Sequence, residues 1–361
     1  MLNIACINQD PGISPGRAKG AAVHLEAMRN AFAVRGASVS AFDLPDELQM
    51  REALASNHSQ RAFDFIYERY ALGKKAGTGF AHDLGVPRVL EVNAPLAEEA
   101  AKHRGVRETP ADRDADNSNF READLVIAVS GPVAEYAVRR GAREDRVMVC
   151  PNGIDTRRFH PGVSPASLAD MGMPGDRFVV GFHGRERPWH GFDNLVRVVA
   201  DITRKGLPIH LLVVGEGEFT GLAGLPADRY TRLGWQPHED VPRYVASFHA
   251  LPLTYEAGAP CYFSPLKLTE AMACGVVPLV PEMGDLARHV RHGETGLVYP
   301  AGDWEALESC IVSLAGDKRL HKRLAGQASA FAATQSWDRI AAAILHRLGL
   351  EAPRQDIARE G

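Results

Sequence analysis

The sequence predicts an α/β protein made of two doubly wound, Rossmann-like domains that face each other across a cleft. Short apolar runs of strand length alternate with helical stretches, which is typical of parallel sheets covered by helices on both faces. The alternation stops near the middle of the chain and restarts after a stretch rich in glycine and proline, 152–165. A length of 361 residues fits two domains of roughly 100–200 residues each.

The elements follow in order along the two halves. The first half opens with a buried strand at 2–7, a glycine-containing loop and a helix from about Ala21 to Arg35. Its further strands are predicted at 38–44, 63–69, 88–94, 124–130 and 146–152. The second half opens with a strand at 177–184 and an amphipathic helix at 191–202, and its further strands are predicted at 209–217, 229–235, 249–255 and 276–281. A last helix is predicted from Trp337 to about Leu348.

Composition and charge exclude several classes of protein. A net charge of −4 and a pI near 6.4 do not indicate bulk nucleic-acid binding. No apolar run approaches the ~18 residues of a membrane span. The N-terminus lacks a basic region and contains Asp10, so it is interpreted as a strand rather than a signal peptide. The five cysteines are scattered and form no C-x-x-C pair, and we therefore expect a reduced, cytoplasmic protein without disulfides or a structural metal.

The segment FSPLKLTEAMACG, 263–275, predicts a short capped helix. Ser264 is a good N-cap, Pro265 suits the first helical position, and Gly275 suits the residue after the helix. The free N–H groups of Leu266 and Lys267, together with the charge of Lys267, would attract an anion such as phosphate, with Glu270 one turn further along. The alternative is an ordinary capped helix with a solvated Lys–Glu pair.

Several further candidate contacts follow predicted strand ends, where ligands bind in open parallel sheets. They are Gly16–Gly20, Asn93, Arg185, Gly215–Gly217 and Gly234–Gln236. Glycines there would let the backbone approach a ligand closely. Each loop taken alone is also explained as a tight turn between a strand and a helix.

At this point the chain resembles the retaining nucleotide-sugar glycosyltransferases of family 4, which have the GT-B fold. The resemblance covers nearly the whole length and rests on several separate segments. They are DPGISPGRAKGAAVH, YERY, LEVNAPLAEE, VCPNGIDTRRFHP, GRERPWHGFDNLVRV, LLVVGEGE, LGWQPHEDVPRYVASF, SPLKLTEAMACGVVPLV and HGETGLVYPAGD. It implies an acceptor-side domain at 1–158, a nucleotide-sugar domain at 159–336, and a final helix at 337–361 that packs back on the first domain.

The resemblance also implies roles at matching positions. Arg185 would neutralise the donor diphosphate, with Arg187 or His190 as its basic partner. Lys267 and the helix start Ser264–Leu266 would hold the terminal phosphate, and Glu270 would bind the ribose hydroxyls. The remaining implied donor contacts are Gly16, Gly20, Gly215, Trp235 and Gln236. Arg185, Lys267 and Glu270 are the predicted catalytic residues, and Arg69, Asn93, Glu98 and Glu99 are predicted on the acceptor side, where local surface salt bridges are the alternative.

Two departures from the family pattern limit what it implies. The family often has a first Glu eight positions before Glu270, and here that position is Tyr262, so the transferred sugar stays open. Glu256 is a candidate substitute through a longer loop. Where many members carry a His after the fourth strand, this chain has Asn93, which hydrogen-bonds a hydroxyl but takes no proton.

The implied reaction moves a sugar from a nucleoside diphosphate, UDP favoured and GDP the alternative, to an acceptor hydroxyl with retention of configuration. No cofactor and no metal are expected; the Asp-x-Asp of DRDAD, 112–116, is interpreted as part of a solvated loop. A small molecule, a saccharide and a lipid-linked saccharide at the inner membrane face all remain open as acceptor. A basic cluster, Arg139, Arg140 and Arg143, is the candidate membrane contact, with a solvated helix end as the alternative.

Two other functions remain as alternatives. An NAD(P)-dependent oxidoreductase would use Asp43 after the second strand to bind a ribose, but the first loop lacks G-x-G-x-x-G. A non-catalytic nucleotide-sugar-binding protein would explain the missing first Glu.

Overall fold

A computed structural model describes residues 1–13, 20–259 and 261–350, which form two compact units. The first unit comprises Met1–Asn152, Tyr262–Ser264 and the chain from Trp337 onward. The second comprises Gly153–Cys261 and Pro265–Ser336, so the boundary expected at 158/159 lies inside the second unit. Each unit contains one six-stranded sheet in which all neighbouring strands are parallel, and the predicted pair of Rossmann-like domains is confirmed.

The first unit alternates strands with helices. Its strands are β1 (Asn3–Asn8), β2 (Ser38–Asp43), β3 (Phe65–Arg69), β4 (Arg88–Val92), β5 (Leu125–Ala128) and β6 (Val147–Val149). Its helices are α1 (Gly20–Val34), α2 (Glu47–Gln60), α3 (Ala76–Leu84), α4 (Leu96–Arg104), α5 (Pro110–Arg121), α6 (Gly131–Arg139) and, from the end of the chain, α13 (Trp337–Arg347). The strand order is β2-β1-β3-β4-β5-β6, so the direction of winding reverses between β1 and β3.

The second unit is built in the same way. Its strands are β7 (Phe178–His183), β8 (Ile209–Val214), β9 (Tyr230–Leu233), β10 (Ala250–Pro252), β11 (Val277–Pro281) and β12 (Leu297–Tyr299). Its helices are α7 (Phe192–Arg204), α8 (Val241–Val245), α9 (Leu266–Ala273), α10 (Leu286–His289), α11 (Trp304–Gly316) and α12 (Lys318–Ala333). The order β12-β11-β10-β7-β8-β9 reverses between β7 and β10.

The cores explain why apolar runs predict the strands so well. Every residue of β1, β3, β4 and β8 is buried, as expected for parallel strands covered on both faces. Helix α7 shows the matching helical pattern, burying Phe192, Leu195, Val199 and Ile202 against the second sheet. Arg88 and Glu68 are charges inside the first sheet, and they form a buried ion pair at 2.7 Å.

The secondary structure differs from the sequence-based prediction at β12 and at 112–116. Strand β12 was not predicted, because its apolar run, LVY, is only three residues long. The segment 112–116 is not a solvated loop but part of α5, which begins with a capping box between Thr109 and Asp112. Asp116 is buried, and it accepts hydrogen bonds from the Tyr70 hydroxyl at 2.5 Å and from Arg140 at 2.6 Å. Arg140 is therefore a buried ion-pair partner rather than part of a solvated helix end.

None of the helices within the described residues is long and apolar enough to cross a membrane.

Candidate active site

The site of the second unit lies where the winding of its sheet reverses, beyond the ends of β7 and β10. The loop after β7 carries Arg185, Arg187 and a short 3₁₀ turn, Pro188–His190. Thr254, which follows β10, donates its hydroxyl to the carbonyl of His190 at 2.9 Å. Gly191 has φ of 60°, and a Cβ there would lie 2.0 Å from the Thr254 carbonyl oxygen, so only glycine fits. The two loops are thus packed together at the place where doubly wound sheets bind ligands.

Helix α9 begins beside this loop and places Lys267 in its first turn. The Lys267 Nζ lies 3.3 Å from His190 Nε2 and 4.8 Å from the ring centroid of Phe182. Burial lowers the pKa of Lys267 to about 7, and the nearby carboxylate of Glu270 opposes this shift only in part. A cation that has lost part of its hydration is a strong binding group for an anion that enters the site.

Glu270 lies one turn further along α9, and it is also titratable near neutrality. Burial raises its pKa to about 7, while the charges of Lys267 and Arg158 lower it. Its Oε2 lies 3.8 Å from Nδ1 of His183, whose Nε2 donates to the Lys267 carbonyl at 3.4 Å. Burial and the charge of Lys267 lower the pKa of His183 to about 3, so this imidazole is neutral.

Arg187 and His190 are the two alternatives predicted for the basic partner of Arg185. Burial, followed by the charges of Lys267 and Arg187, lowers the pKa of His190 to about 3. His190 is therefore neutral near pH 7, and its Nε2 is available as an acceptor for the Lys267 ammonium. Arg185 and Arg187 are exposed, and the Arg187 guanidinium lies 5.9 Å from the ring centroid of Trp189. The full positive charges of this loop belong to the two arginines.

The predicted N-cap role of Ser264 is wrong. Pro265 occupies the N-cap position in an extended conformation, and α9 starts at Leu266 with no side-chain cap from the described part of the chain. The Ser264 hydroxyl instead accepts the backbone N–H of Asn152 at 2.9 Å, and its carbonyl accepts the Asn152 side-chain amide at 2.5 Å. The N–H groups of Leu266 and Lys267 are thus not occupied by a serine cap, which leaves them available to an anion, whereas that of Leu268 donates to the Pro265 carbonyl at 3.0 Å. Gly275 has φ of 78°, as the residue after a helix requires.

The other predicted donor contacts are placed as follows. Gly215 has φ of 141°, and a Cβ there would lie 2.2 Å from the Gly184 carbonyl oxygen, so close packing of two loops already explains this glycine. Trp235 and Gln236 follow β9, the outer strand of the sheet, and Trp235 is 55% exposed. Gly20 is the first residue of α1, and Gly16 lies outside the described residues.

In the first unit, two of the predicted acceptor-side residues, Arg69 and Asn93, converge on a carboxylate that sequence reasoning missed. Glu91 in β4 is fully buried, and its Oε1 accepts from Arg69 at 2.9 Å and from the Asn93 amide. Its Oε2 accepts from the Tyr67 hydroxyl. Burial favours the neutral acid, but charge and hydrogen bonds from His24 and Arg69 hold the pKa of Glu91 well below its usual range. The available signal was a Glu inside the otherwise apolar run RVLEV.

His24 links this carboxylate to Asn152. Its Nε2 lies 3.1 Å from Glu91 Oε1, and its Nδ1 lies 2.7 Å from Asn152 Oδ1. The Asn152 amide cannot be turned around, because its nitrogen must donate to the Ser264 carbonyl. Both ring nitrogens of His24 therefore face acceptor oxygens.

Glu98, Glu99 and Tyr262 make local contacts in the first unit. Glu98 pairs with Arg139 at 3.0 Å, and both side chains are more than half exposed, which matches the salt-bridge alternative. The Tyr262 hydroxyl donates to Glu99, and burial followed by Glu99 raises the pKa of Tyr262 above its usual range. Tyr262 is thus not a replacement for the first Glu of the family pattern. Glu256 lies 3.4 Å from the Asn194 amide.

The side chains of the described residues form no group of three or more His, Cys, Asp or Glu that is placed to hold a metal ion.

Comparisons with known proteins agree with this architecture. Residues 177–317 match the family model described as Glycosyl transferases group 1, and residues 40–158 match the model of Glycosyltransferase Family 4. A D-inositol 3-phosphate glycosyltransferase of Nocardia farcinica is 30% identical over 304 residues, which make up 78% of this chain and 65% of that protein. The D-inositol 3-phosphate glycosyltransferase of Rhodococcus erythropolis is 29% identical over 332 residues, which make up 84% of this chain and 72% of that protein.

Two solved structures show the same fold at low identity. Anabaena HepE in complex with UDP-glucose has a TM-score of 0.72 at 21% identity, covering 97% of this chain and 100% of that one. Sucrose-phosphate synthase of Thermosynechococcus elongatus has a TM-score of 0.72 at 20% identity, covering 98% of this chain and 100% of that one. Each of the two units therefore has the Rossmann-like fold of a GT-B domain.

Proposed function

We propose that this protein transfers a sugar from a UDP-sugar to an acceptor hydroxyl with retention of configuration and without a metal or a cofactor. The observation that carries the proposal is the cluster around the first turn of α9. There a partly dehydrated ammonium, Lys267, lies beside uncapped helical N–H groups and next to the loop of Arg185 and Arg187. Such an arrangement is suited to a diphosphate, because a helix N-terminus and cations both favour negative charge.

The chemistry follows from where charge develops. The bond between the anomeric carbon and the diphosphate oxygen breaks, and a bond to the acceptor oxygen forms. Negative charge grows on the leaving diphosphate, where Lys267 and Arg185 stabilise it more strongly in the transition state than in the ground state. The leaving oxygen takes the acceptor proton. Glu270 accepts hydrogen bonds from the ribose hydroxyls.

The nucleotide and the acceptor are proposed with support from relatives. HepE was solved with UDP and with UDP-glucose, and the curated relatives are D-inositol 3-phosphate glycosyltransferases. UDP-sugars are therefore the first donors to test, with GDP-sugars as the alternative. D-inositol 3-phosphate is the first acceptor, beside simple saccharides and lipid-linked saccharides. Arg69 and Asn93, oriented by Glu91, are the proposed acceptor contacts.

The test is a screen of UDP- and GDP-sugars by thermal stabilisation, followed by mass spectrometry of products with each acceptor. We expect stabilisation by UDP and a UDP-sugar, and release of UDP together with a glycosylated product whose anomeric configuration, measured by NMR, is that of the donor. Added EDTA should leave the rate unchanged. Donor retention without any UDP release would instead indicate a non-catalytic binding protein.

Substitutions test the phosphate role directly. Arg185→Ala and Lys267→Ala should each lower turnover by at least about tenfold, because each removes a charge that faces the leaving group. Lys205→Ala is the matched control, since this exposed lysine of the same unit pairs with Glu308 instead. Turnover near that of the wild type in both site variants, with unchanged thermal stability, would show that the diphosphate lies elsewhere.

A further inference from the structure

We infer that Glu186 is a positioning residue that fixes the backbone from which Arg185 and Arg187 extend, an inference that rests on the proposed function. Glu186 lies between the two arginines in the sequence. A carboxylate free to turn toward the diphosphate would repel it. The hydrogen bond that the Glu186 carboxylate accepts from the Phe219 backbone shows that this side chain is held by the neighbouring loop instead.

The backbone on both sides of Arg185 is held by the loop that follows β8. The Gly184 N–H donates to the Val214 carbonyl at 2.9 Å, and the Glu186 N–H donates to the Glu216 carbonyl at 2.7 Å. These bonds continue the parallel pairing of β7 with β8 past the ends of both strands. Arg185 is thus presented from a paired segment rather than from a free loop.

The Glu186 side chain makes a further contact between the loop after β7 and the loop after β8. Its Oε2 accepts the backbone N–H of Phe219 at 2.8 Å. Phe219 has φ of 51°, and within residues 1–13, 20–259 and 261–350 it is the sole non-glycine residue with positive φ. Such a conformation costs free energy, and it persists here with the phenyl ring buried against Phe182 and Phe192. A strained residue whose N–H is bonded to Glu186 is consistent with a loop that is held in one geometry.

Close packing leaves this geometry little freedom. A Cβ on Gly217 would lie 2.4 Å from the Cβ of Glu186, so the loops approach each other to a distance that only glycine permits. Arg232 of β9 holds the same loop from the other side, donating to the Gly217 carbonyl at 2.5 Å and lying 5.1 Å from the Phe219 ring centroid. Glu186 is therefore one of several contacts that hold the two loops together, and Arg185 and Arg187 extend into solvent from the loop that is held.

A purely electrostatic effect and a positioning effect predict opposite changes in UDP affinity when Glu186 is removed, so the two can be distinguished by experiment. Removing a negative charge beside a diphosphate site should tighten UDP binding if only charge matters. Glu186→Ala should instead weaken UDP binding by about fivefold or more, because the arginine loop is no longer held. Glu186→Gln should stay within about twofold, since its amide oxygen still accepts from Phe219. Glu218→Ala, in the same loop with an exposed side chain, is the charge-matched control.

The experiment measures UDP affinity by calorimetry on the full chain, with a double-mutant cycle. In the background of the double variant Arg185→Ala/Arg187→Ala, Glu186→Ala should change affinity by less than about twofold, because neither arginine side chain is left to be positioned. Gly217→Ala, which displaces Glu186, provides a second route should Glu186→Ala fold poorly, and we expect the same loss. Equal or tighter UDP binding by both variants, or fully additive losses in the cycle, overturns the inference alone. Absence of UDP binding by the wild type overturns the proposed function and this inference with it.

Discussion

The affinity for UDP should depend on pH through Lys267. Burial lowers the pKa of this ammonium from 10.5 to about 7 in the free protein. A bound diphosphate places negative charge beside it, and this favours the protonated form. Binding of UDP must therefore return a proton to Lys267 whenever the free protein has lost it, and affinity should fall as the pH rises above 7.

The size of the effect follows from the two titration states. With a pKa of about 7, roughly half of the free molecules carry the charge at pH 7 and about one in a hundred at pH 9, so the Kd for UDP should rise about fiftyfold over this interval. The second ionisation of a phosphate monoester lies near pH 6, so the charge of UDP contributes little above pH 7.

Calorimetric titrations at pH 7, 8 and 9 measure the change in Kd. Parallel titrations in two buffers of different ionisation enthalpy, neither of which contains phosphate, measure proton uptake from the difference in observed heat. Uptake should approach one proton per UDP at pH 9. Lys267→Gln should bind weakly at every pH and lose the dependence. Glu270→Gln should keep the direction of the dependence. A Kd that is constant between pH 7 and 9 would refute the reasoning that a partly dehydrated lysine binds the phosphate.

The remaining prediction concerns buried charge in the first unit. Arg88→Met should lower the free energy of unfolding in urea by about 3–5 kcal/mol, because it leaves the Glu68 carboxylate buried without its partner. A loss below about 1 kcal/mol would mean that Glu68 becomes protonated or hydrated at little cost, and Glu68→Gln combined with Arg88→Met should recover part of the loss.

Local sequence was sufficient for the framework. Apolar runs predict every strand except β12, and the runs are clearest in strands such as β1 and β8, because both faces of these strands are covered. The same is true of α9, which starts at Leu266, one residue after the predicted start at Pro265, and ends before Gly275 as predicted. It is also true of the position of Lys267 and Glu270 one turn apart. These features depend on residues that are close together in the sequence, so a short segment is sufficient to predict them.

Tertiary structure alone decided the pKa values of the buried groups and the hydrogen-bond partners of Ser264. Ser264 has the sequence of an N-cap, yet its hydroxyl accepts from Asn152, more than a hundred positions away. Glu91 and His24 come together only because β4 and α1 pack in the same unit. The pKa of Lys267 depends on burial by residues from several segments of the second unit. Desolvation and hydrogen-bond partners are properties of the folded surroundings, and no local pattern of residues specifies them.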